Sequence, residues 1–293
     1  MSRFNLIDLS SLAAPDIVET IDFESIKLDI LTDLVARDPD FSALLESDPG
    51  VKLVEAFAYR EMLLRQRIND ATKSNLLATA TGTSLDHLAT LFGVERMSFT
   101  DAMGITTAES DDRLRIRLQL APAAFSCGGP SNAYLYFAFS TDLTVADASV
   151  YSPGPGQVMI TIYSSENDGV PSAELLAAVS SALNADDVRP LTDVVQVQAA
   201  TIHHYSVVAK LTLYPGPDAA LVQTAVTTAL TNYTAGVKRL GYGVTLAGLY
   251  GALAQAGVQN ATLQAPATDI AGDPSIIHAC DAVTVTTAAV REE

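Results

Sequence analysis

The stretch SDPGVKLVEAFAYREMLLRQRINDATKSNLLATATGTSLDHLATLFGVERM, Ser47 to Met97, decides how the rest of the chain is read. Asp48 is placed to cap a helix whose first position is Pro49, where a missing N–H costs nothing. Beyond Gly50 no Gly or Pro intervenes until Gly82. This predicts one helix of roughly 32 residues and about 48 Å, well over the ~30 Å that spans a small domain. Val54, Phe57, Ala58, Leu64, Ile68 and Ala71 recur at helical spacing, so Phe57, Leu64 and Ile68 are its candidate core. Leu53, Ala56, Met62 and Leu63 add a second apolar side. Glu61 and Arg65 stand four apart in the favourable order and Asp70 and Lys73 three apart, which suits ion pairs on the remaining side. After Gly82, expected to end this helix, Thr83 and Asp86 have capping-box spacing. Leu85, Leu88, Ala89, Leu91 and Phe92 then mark a short helix stopped by Gly93.

Before this hairpin, Phe4, Leu6, Ile7 and Leu9 make an apolar end that either orders on a partner or packs on its own domain. Asp22 caps a first helix that Asp38-Pro39 ends, and Phe41, Leu44 and Leu45 lead on to the long one. After the hairpin, Ser98 to Glu109 is expected to be a linker or mobile loop. A helix runs from Asp111 to a stop at Pro122, Cys127-Gly128-Gly129-Pro130 makes a turn, and a helix from Ser131 buries Tyr134, Phe137 and Ala138.

Beyond Asp142 the period changes to two. Val145 to Val150 and Val158, Ile160 and Ile162 predict a hairpin around Pro153-Gly154-Pro155-Gly156. Asn167-Asp168-Gly169 turns the chain, Ser172 caps a helix, and Val194 to Ala199 is a further strand, completing a ββαβ module. The next segment varies the theme. Tyr205, Val207, Ala209, Leu211 and Leu213 alternate along a strand that Pro215-Gly216-Pro217 ends. Helices from Asp218 and Thr245 and strands near Val258 to Gln264 and Ala282 to Thr287 follow. Tyr151-Ser-Pro-Gly-Pro and Tyr214-Pro-Gly-Pro echo each other and raise the question of internal duplication. The expected class is α+β: an N-terminal helical region, 1–141, with one long helix, followed by two small α+β modules, 142–202 and 203–293.

The composition excludes several functions. Seventeen Lys and Arg against 34 Asp and Glu give a formal charge of −17. Such a surface repels phosphate backbones and anionic membranes, so no nucleic-acid contact is expected; the cluster Arg113, Arg115 and Arg117 follows directly on Asp111 and Asp112. Apolar residues make up 48% and the mean hydropathy is +0.24, yet no run approaches the ~18 residues of a membrane span, so no membrane insertion is expected. The apolar excess belongs to cores or subunit interfaces. Asp8 breaks the apolar patch near Arg3, unlike a secretory leader, and Cys127 and Cys280 are too few for a disulfide framework, so production in a reducing cytoplasm is expected.

Candidate chemistry is sparse. His203 and His204 are adjacent on a strand and point to opposite faces. His278 and Cys280 share a face, but no further ligand stands at a recognisable spacing, so no metal and no cofactor are expected. His87 reads as a surface residue. No nucleophile elbow, Walker, dinucleotide or zincin motif is present, and Asp111-Asp112 and Asp186-Asp187 read as solvated neighbours, so no catalytic residue and no enzymatic activity are expected. Glu55 and Glu61, set among apolar residues, are either partners for arginines across a subunit interface or plain surface charges.

The run AFAYREMLLRQRINDATKSNLLATATGTSLDHLATLFGVERM resembles the signature region of the baseplate J-like proteins, wedge components of contractile phage tails and related injection systems. SDDRLRIRLQLAP (Ser110 to Pro122), GGPSNAYLYFAF (Gly128 to Phe139) and GYGVTLAGLYGALAQAGVQNATLQAP (Gly241 to Pro266) continue the resemblance in family order over most of the chain. It implies a structural wedge subunit in the virion tail baseplate, assembled in the host cytoplasm and rearranging when the sheath contracts. The partners it implies are a second copy within a ring, tail protein I and other wedge proteins. Glu61, Arg65 and Arg67 are the candidate interface residues. A tail-associated hydrolase and a receptor-binding tip are the alternatives; the absence of Trp and only 6% aromatics speak against the latter.

Overall fold

A computed structural model describes residues 6–43, 45–46, 48–100, 103–126, 128–216 and 218–287. The expectations for Arg3, Phe4, Leu44, Ser47, Cys127 and Pro217 lie outside them. The chain forms two compact units: Leu6–Arg96 with Ser110–Leu118, and 97–109 with 119–293.

The first unit is helical. α1 (Phe23–Arg37) is capped as the sequence implies, Asp22 Oδ2 accepting the Ser25 N–H at 2.8 Å. It packs on α2 (Pro49–Ser74). Asp48 caps α2 by accepting the Gly50 N–H at 2.9 Å. The long helix is real but has 26 residues, about 39 Å, and does not reach Gly82.

Two features stop it early. Ser74 and Asn75 turn their side chains back onto the Ala71 carbonyl, at 2.8 and 2.7 Å, competing with the helical ladder. Arg115, from helix α4 (Asp111–Ala124), then takes the carbonyls of Leu77 and Ala80 at 3.1 and 2.7 Å. An unwound segment whose carbonyls are held by a guanidinium needs no helix to satisfy them. Arg115→Ala is therefore expected to cost about 1–3 kcal/mol, because two acceptors lose a charged donor. Urea denaturation followed by circular dichroism checks this, and an unchanged midpoint would show the turn to be self-supporting.

The capping box is not formed. α3 (Gly82–Thr90) begins after Thr81, whose side chain makes no cap, and Gly82, with φ +53°, sits at its start. The Gly82 N–H goes to Asp111 Oδ2 at 3.1 Å, while Asp86 and Asp111 both accept from Arg96 at 2.7 Å. That amide, followed by Arg96, holds the Asp111 carboxyl below its ordinary range. The arginine cluster is thus internal bracing: Arg117, buried, donates to the Glu95 carbonyl at 3.1 Å. α4 itself runs on through Pro122 to Ala124, because a proline in the final turn removes only one ladder bond.

In the second unit, Ser98 to Glu109 is no structureless linker. β1 (Ser98–Thr100) and β2 (Thr106–Ala108) pair antiparallel, and the Glu109 N–H donates to the Met97 carbonyl at 2.8 Å. Phe99, Thr106 and Thr107 supply the β-favouring residues, and Gly104, at φ +81°, supplies the turn.

α5 (Ser131–Thr141) packs on β3 (Val145–Tyr151) and on α6 (Ala173–Leu183). The hairpin of β3 with β4 (Gln157–Ser164) forms as expected, and β5 (Val194–Ala199) joins β4 in parallel through α6. Ser172 caps α6 through the Leu175 N–H at 3.1 Å. Ile160, Ile162, Leu175, Val179 and Leu183 are fully or nearly fully enclosed. Tyr134 is buried with its hydroxyl donating to Asp193 Oδ2 at 2.7 Å, and that burial pushes the phenol up.

The last sheet has the order β7-β6-β8, with β6 (Thr201–Leu213) central, β7 (Val258–Ala265) antiparallel to it and β8 (Ile276–Thr287) parallel. Tyr205, Val207, Ala209, Leu211 and Leu213 all face one core, a period of two. α7 (Ala219–Val237) and α8 (Leu246–Leu253) cover it with Val222, Val226, Leu230, Leu249 and Leu253. Both sheets give their central strand one antiparallel and one parallel neighbour. The strands are connected in different order, so the echoing Tyr-Pro-Gly turns mark similar strand ends without a copied topology.

Candidate assembly surface

α2 carries two apolar stripes on opposite sides, and only one is covered within its own unit. The inner stripe is Val51, Val54, Ala58 and Asn69, all buried. Asn69 fastens the N-terminal segment, accepting the Glu19 N–H at 3.1 Å and donating to the Glu19 carbonyl at 2.9 Å. Leu9, Pro15 and Val18 meet Leu76 and Leu77 around a small groove. The described part of the N-terminal segment therefore packs on its own unit.

The candidate core residues of α2 lie on the other stripe. Phe57 is 65% exposed, Leu64 64% and Ile68 53%, joined by Leu53 at 62%. The correction has a simple cause. Both stripes satisfy the helical period, and α1 and the N-terminal segment reach only one of them. Leu53, Phe57, Arg60, Leu64, Arg67 and Ala71 follow each other at alternating steps of four and three, the seam pattern of a coiled coil. An apolar row of this length, open to water, is unusual unless something covers it.

The candidate interface charges divide. Glu61 and Arg65 are already engaged: Arg65 reaches Glu61 at 2.6 Å and Glu19 at 3.0 Å. Those two hydrogen bonds raise the Arg65 guanidinium above its ordinary value. Glu55 pairs with Lys52 at 2.9 Å and Lys27 at 3.1 Å, and both hold its carboxyl down. Only Arg67 of the three stays on the open stripe. With Arg60, which the sequence reading passed over, it flanks Leu63 and Leu64 in a shallow depression also lined by Gln66 and Asp70. Gln66 donates to Asp70 at 2.8 Å. Among the described residues neither Arg60 nor Arg67 has an ion-pair partner.

The second unit holds a cavity of about 730 Å³ lined by Tyr163, Asp168, Ile202, His204, Lys238 and Asp281, among others. His204 Nδ1 meets Asp281 Oδ1 at 2.7 Å, both largely exposed. Among the described residues no hydroxyl or thiol is hydrogen-bonded to His204. Among the described residues no group of three or more His, Cys, Asp or Glu side chains is placed to hold a metal, and no helix is long and apolar enough to cross a membrane. Where the sequence pairs His278 with Cys280, the structure brings His278 to His203 across β6 and β8, Nδ1 to Nδ1 at 3.2 Å.

Residues 46–102 match the baseplate J-like N-terminal domain, 126–199 the baseplate J-like central domain and 205–286 the baseplate J-like protein C-terminal domain. The chain is 42% identical over 278 residues to baseplate protein J of Escherichia phage P2, covering 90% of this chain and 92% of that one. The first matched segment holds α2 and α3, the second α5, the β3-β4-β5 sheet and α6, and the third most of the β7-β6-β8 sheet with α7 and α8, and the chain belongs to the baseplate J-like protein family.

Proposed function

We propose that this chain is a non-enzymatic wedge subunit of a contractile-tail baseplate that assembles through the open side of α2. Its partners in this reading are a second copy within the ring, tail protein I and other wedge proteins. The assembly is completed in the host cytoplasm, and the subunit rearranges when the sheath contracts. The observation that carries it is the Leu53, Phe57, Leu64 and Ile68 row, exposed along a helix of seam-like spacing and interrupted by two arginines that have no ion-pair partner among the described residues. A partner helix with an apolar seam and acidic flanks satisfies both features at once.

The test is mass by light scattering, for the chain alone and mixed with the tail protein I encoded beside it. Because Leu64 is exposed, Leu64→Asp leaves the melting temperature nearly unchanged yet weakens the complex by at least about 30-fold, the size of a central interface residue of ~2 kcal/mol. Arg60→Glu with Arg67→Glu gives the same separation of folding from assembly. A folded variant that assembles like the parent places the contact elsewhere, and a parent chain that stays monomeric beside its partner removes the reading altogether.

A further inference from the structure

The His203–His278 contact joins neighbouring strands of the β7-β6-β8 sheet, and His278 also holds, through the Ala271 carbonyl, the segment that precedes β8. The chain before His278, from Asp269 to Ile276, is tied to its own module and, at Pro274, to β3 of the other sheet. Ile270 exchanges both backbone hydrogen bonds with Val244, each at 2.9 Å. The Pro274 carbonyl accepts from the Ser149 hydroxyl on β3, and the Ser275 carbonyl accepts the Thr201 N–H at the start of β6 at 2.9 Å. Nearby, Asp147 on β3 accepts the Leu240 N–H at 2.7 Å. Leu240 and Ile277, with Ala200, form the small apolar cluster of this region, against which Tyr163 and Ile202 pack.

His278 is 3% exposed and its Nε2 faces the Ala271 carbonyl at 3.0 Å. A carbonyl only accepts, so Nε2 carries the proton and the neutral ring presents a bare Nδ1. The contact with His203 Nδ1 then requires the proton to sit on His203. The rings meet edge to face, at 85°. One further proton fits, on the outward Nε2 of His203, without disturbing the contact. A second has only His278 Nδ1 to go to, which sets two N–H groups against each other at the edge of the buried His278 ring.

We propose that His203 and His278 form a proton-operated latch on the joint between the β3-β4-β5 and β7-β6-β8 sheets, closed while at most one ring is charged and released when both are. The ionisable groups facing His278 are His203 from β6 and Asp273 from the joint segment. Burial, with a smaller push from His203, holds the His278 imidazole below its ordinary value, outweighing the Ala271 carbonyl and Asp273. A base held down in the folded state binds fewer protons than in the unfolded chain. The latch is therefore fully closed above the ordinary imidazole range and weakens as the pH falls through and below about 6.5. His204 lies on the opposite face of β6 against Asp281, an ion pair that protonation makes and does not break.

Hydrogen exchange read by mass spectrometry across residues 269–277 tests this in the full chain, after correction for the intrinsic effect of pH. Between pH 7.5 and pH 5 the segment is expected to lose protection at least tenfold, roughly the weight of one lost local contact, while β6 from Val207 to Leu213 keeps its own. His278→Gln offers an amide N–H to Ala271 and an oxygen to His203, and removes the response. Unchanged protection in the parent at pH 5, or the same loss in His278→Gln, overturns the latch. Imidazole NMR of the parent is the second measurement, independent of the variant's folding. Both rings charged with the 269–277 amides still protected overturns the proposal as well.

Discussion

Leu211→Asp is expected to prevent the C-terminal sheet from folding. Leu211 is fully enclosed near the end of β6, between β7 and β8, and belongs to the core that α7 and α8 close. Removing the leucine gives up about 2–3 kcal/mol of burial. The carboxyl that replaces it enters an apolar layer and is costly whether charged or protonated, so the total reaches about 5 kcal/mol or more. That is the size of the whole stability of many domains. Circular dichroism and hydrogen exchange of β6 to β8 should show the module open in water. Lys210→Asp is the matched control: one residue along, the side chain points outward and the change is expected to stay within about 0.5 kcal/mol. Equal effects at the two positions would contradict the two-residue alternation on which the core rests.

Gly272→Ala is the second large effect, and it arises from backbone meeting backbone. A Cβ on Gly272 would lie 2.2 Å from the Gly241 carbonyl oxygen and 2.8 Å from the Gly243 nitrogen, while one on Gly243 would lie 2.5 Å from the Ile270 oxygen. No side-chain rotation relieves such a contact, so the 241–244 and 270–272 segments must separate. Overpacking of this kind costs about 3 kcal/mol, which in a unit of this size lowers the melting temperature by about 6–12 °C. Gly251→Ala, inside α8 with nothing near the added carbon, is expected to stabilise by about 0.5–1 kcal/mol. Calorimetry of the two variants separates them by sign. A melting temperature for Gly272→Ala at or above the parent's would show that the joint is loosely packed.

Much of the fold was legible because each signal is local. Asp22, Asp48, Ser172, Asp218 and Thr245 cap the helices they precede, since a short polar side chain satisfies an exposed helical N–H wherever the rest of the chain goes. The change of period after Asp142 placed β3 to β6 for the same reason. The end of α2 was not legible. It depends on Arg115, 38 residues from Leu77, taking carbonyls that would otherwise continue a ladder. The capping box failed likewise, because Arg96 claims Asp86 and Asp111 supplies the N-terminal acceptor of α3. The 98–108 hairpin was obscured by the short length of its strands, three residues each.

The family resemblance, the α+β class, the caps and the alternation of β6 rest on residues close in sequence, and the sequence by itself determined them. Which stripe of α2 is buried did not follow from it. Apolar burial is non-directional, and Phe57, Leu64 and Ile68 satisfy the helical period as well as Val51, Val54 and Ala58 do. Only the position of α1 and of Glu19 against Asn69 chooses between them, leaving Arg67 open while Glu61 and Arg65 are tied within the chain. The pairing of His203 with His278, 75 residues apart, is likewise a matter of strand register, which tertiary packing alone sets.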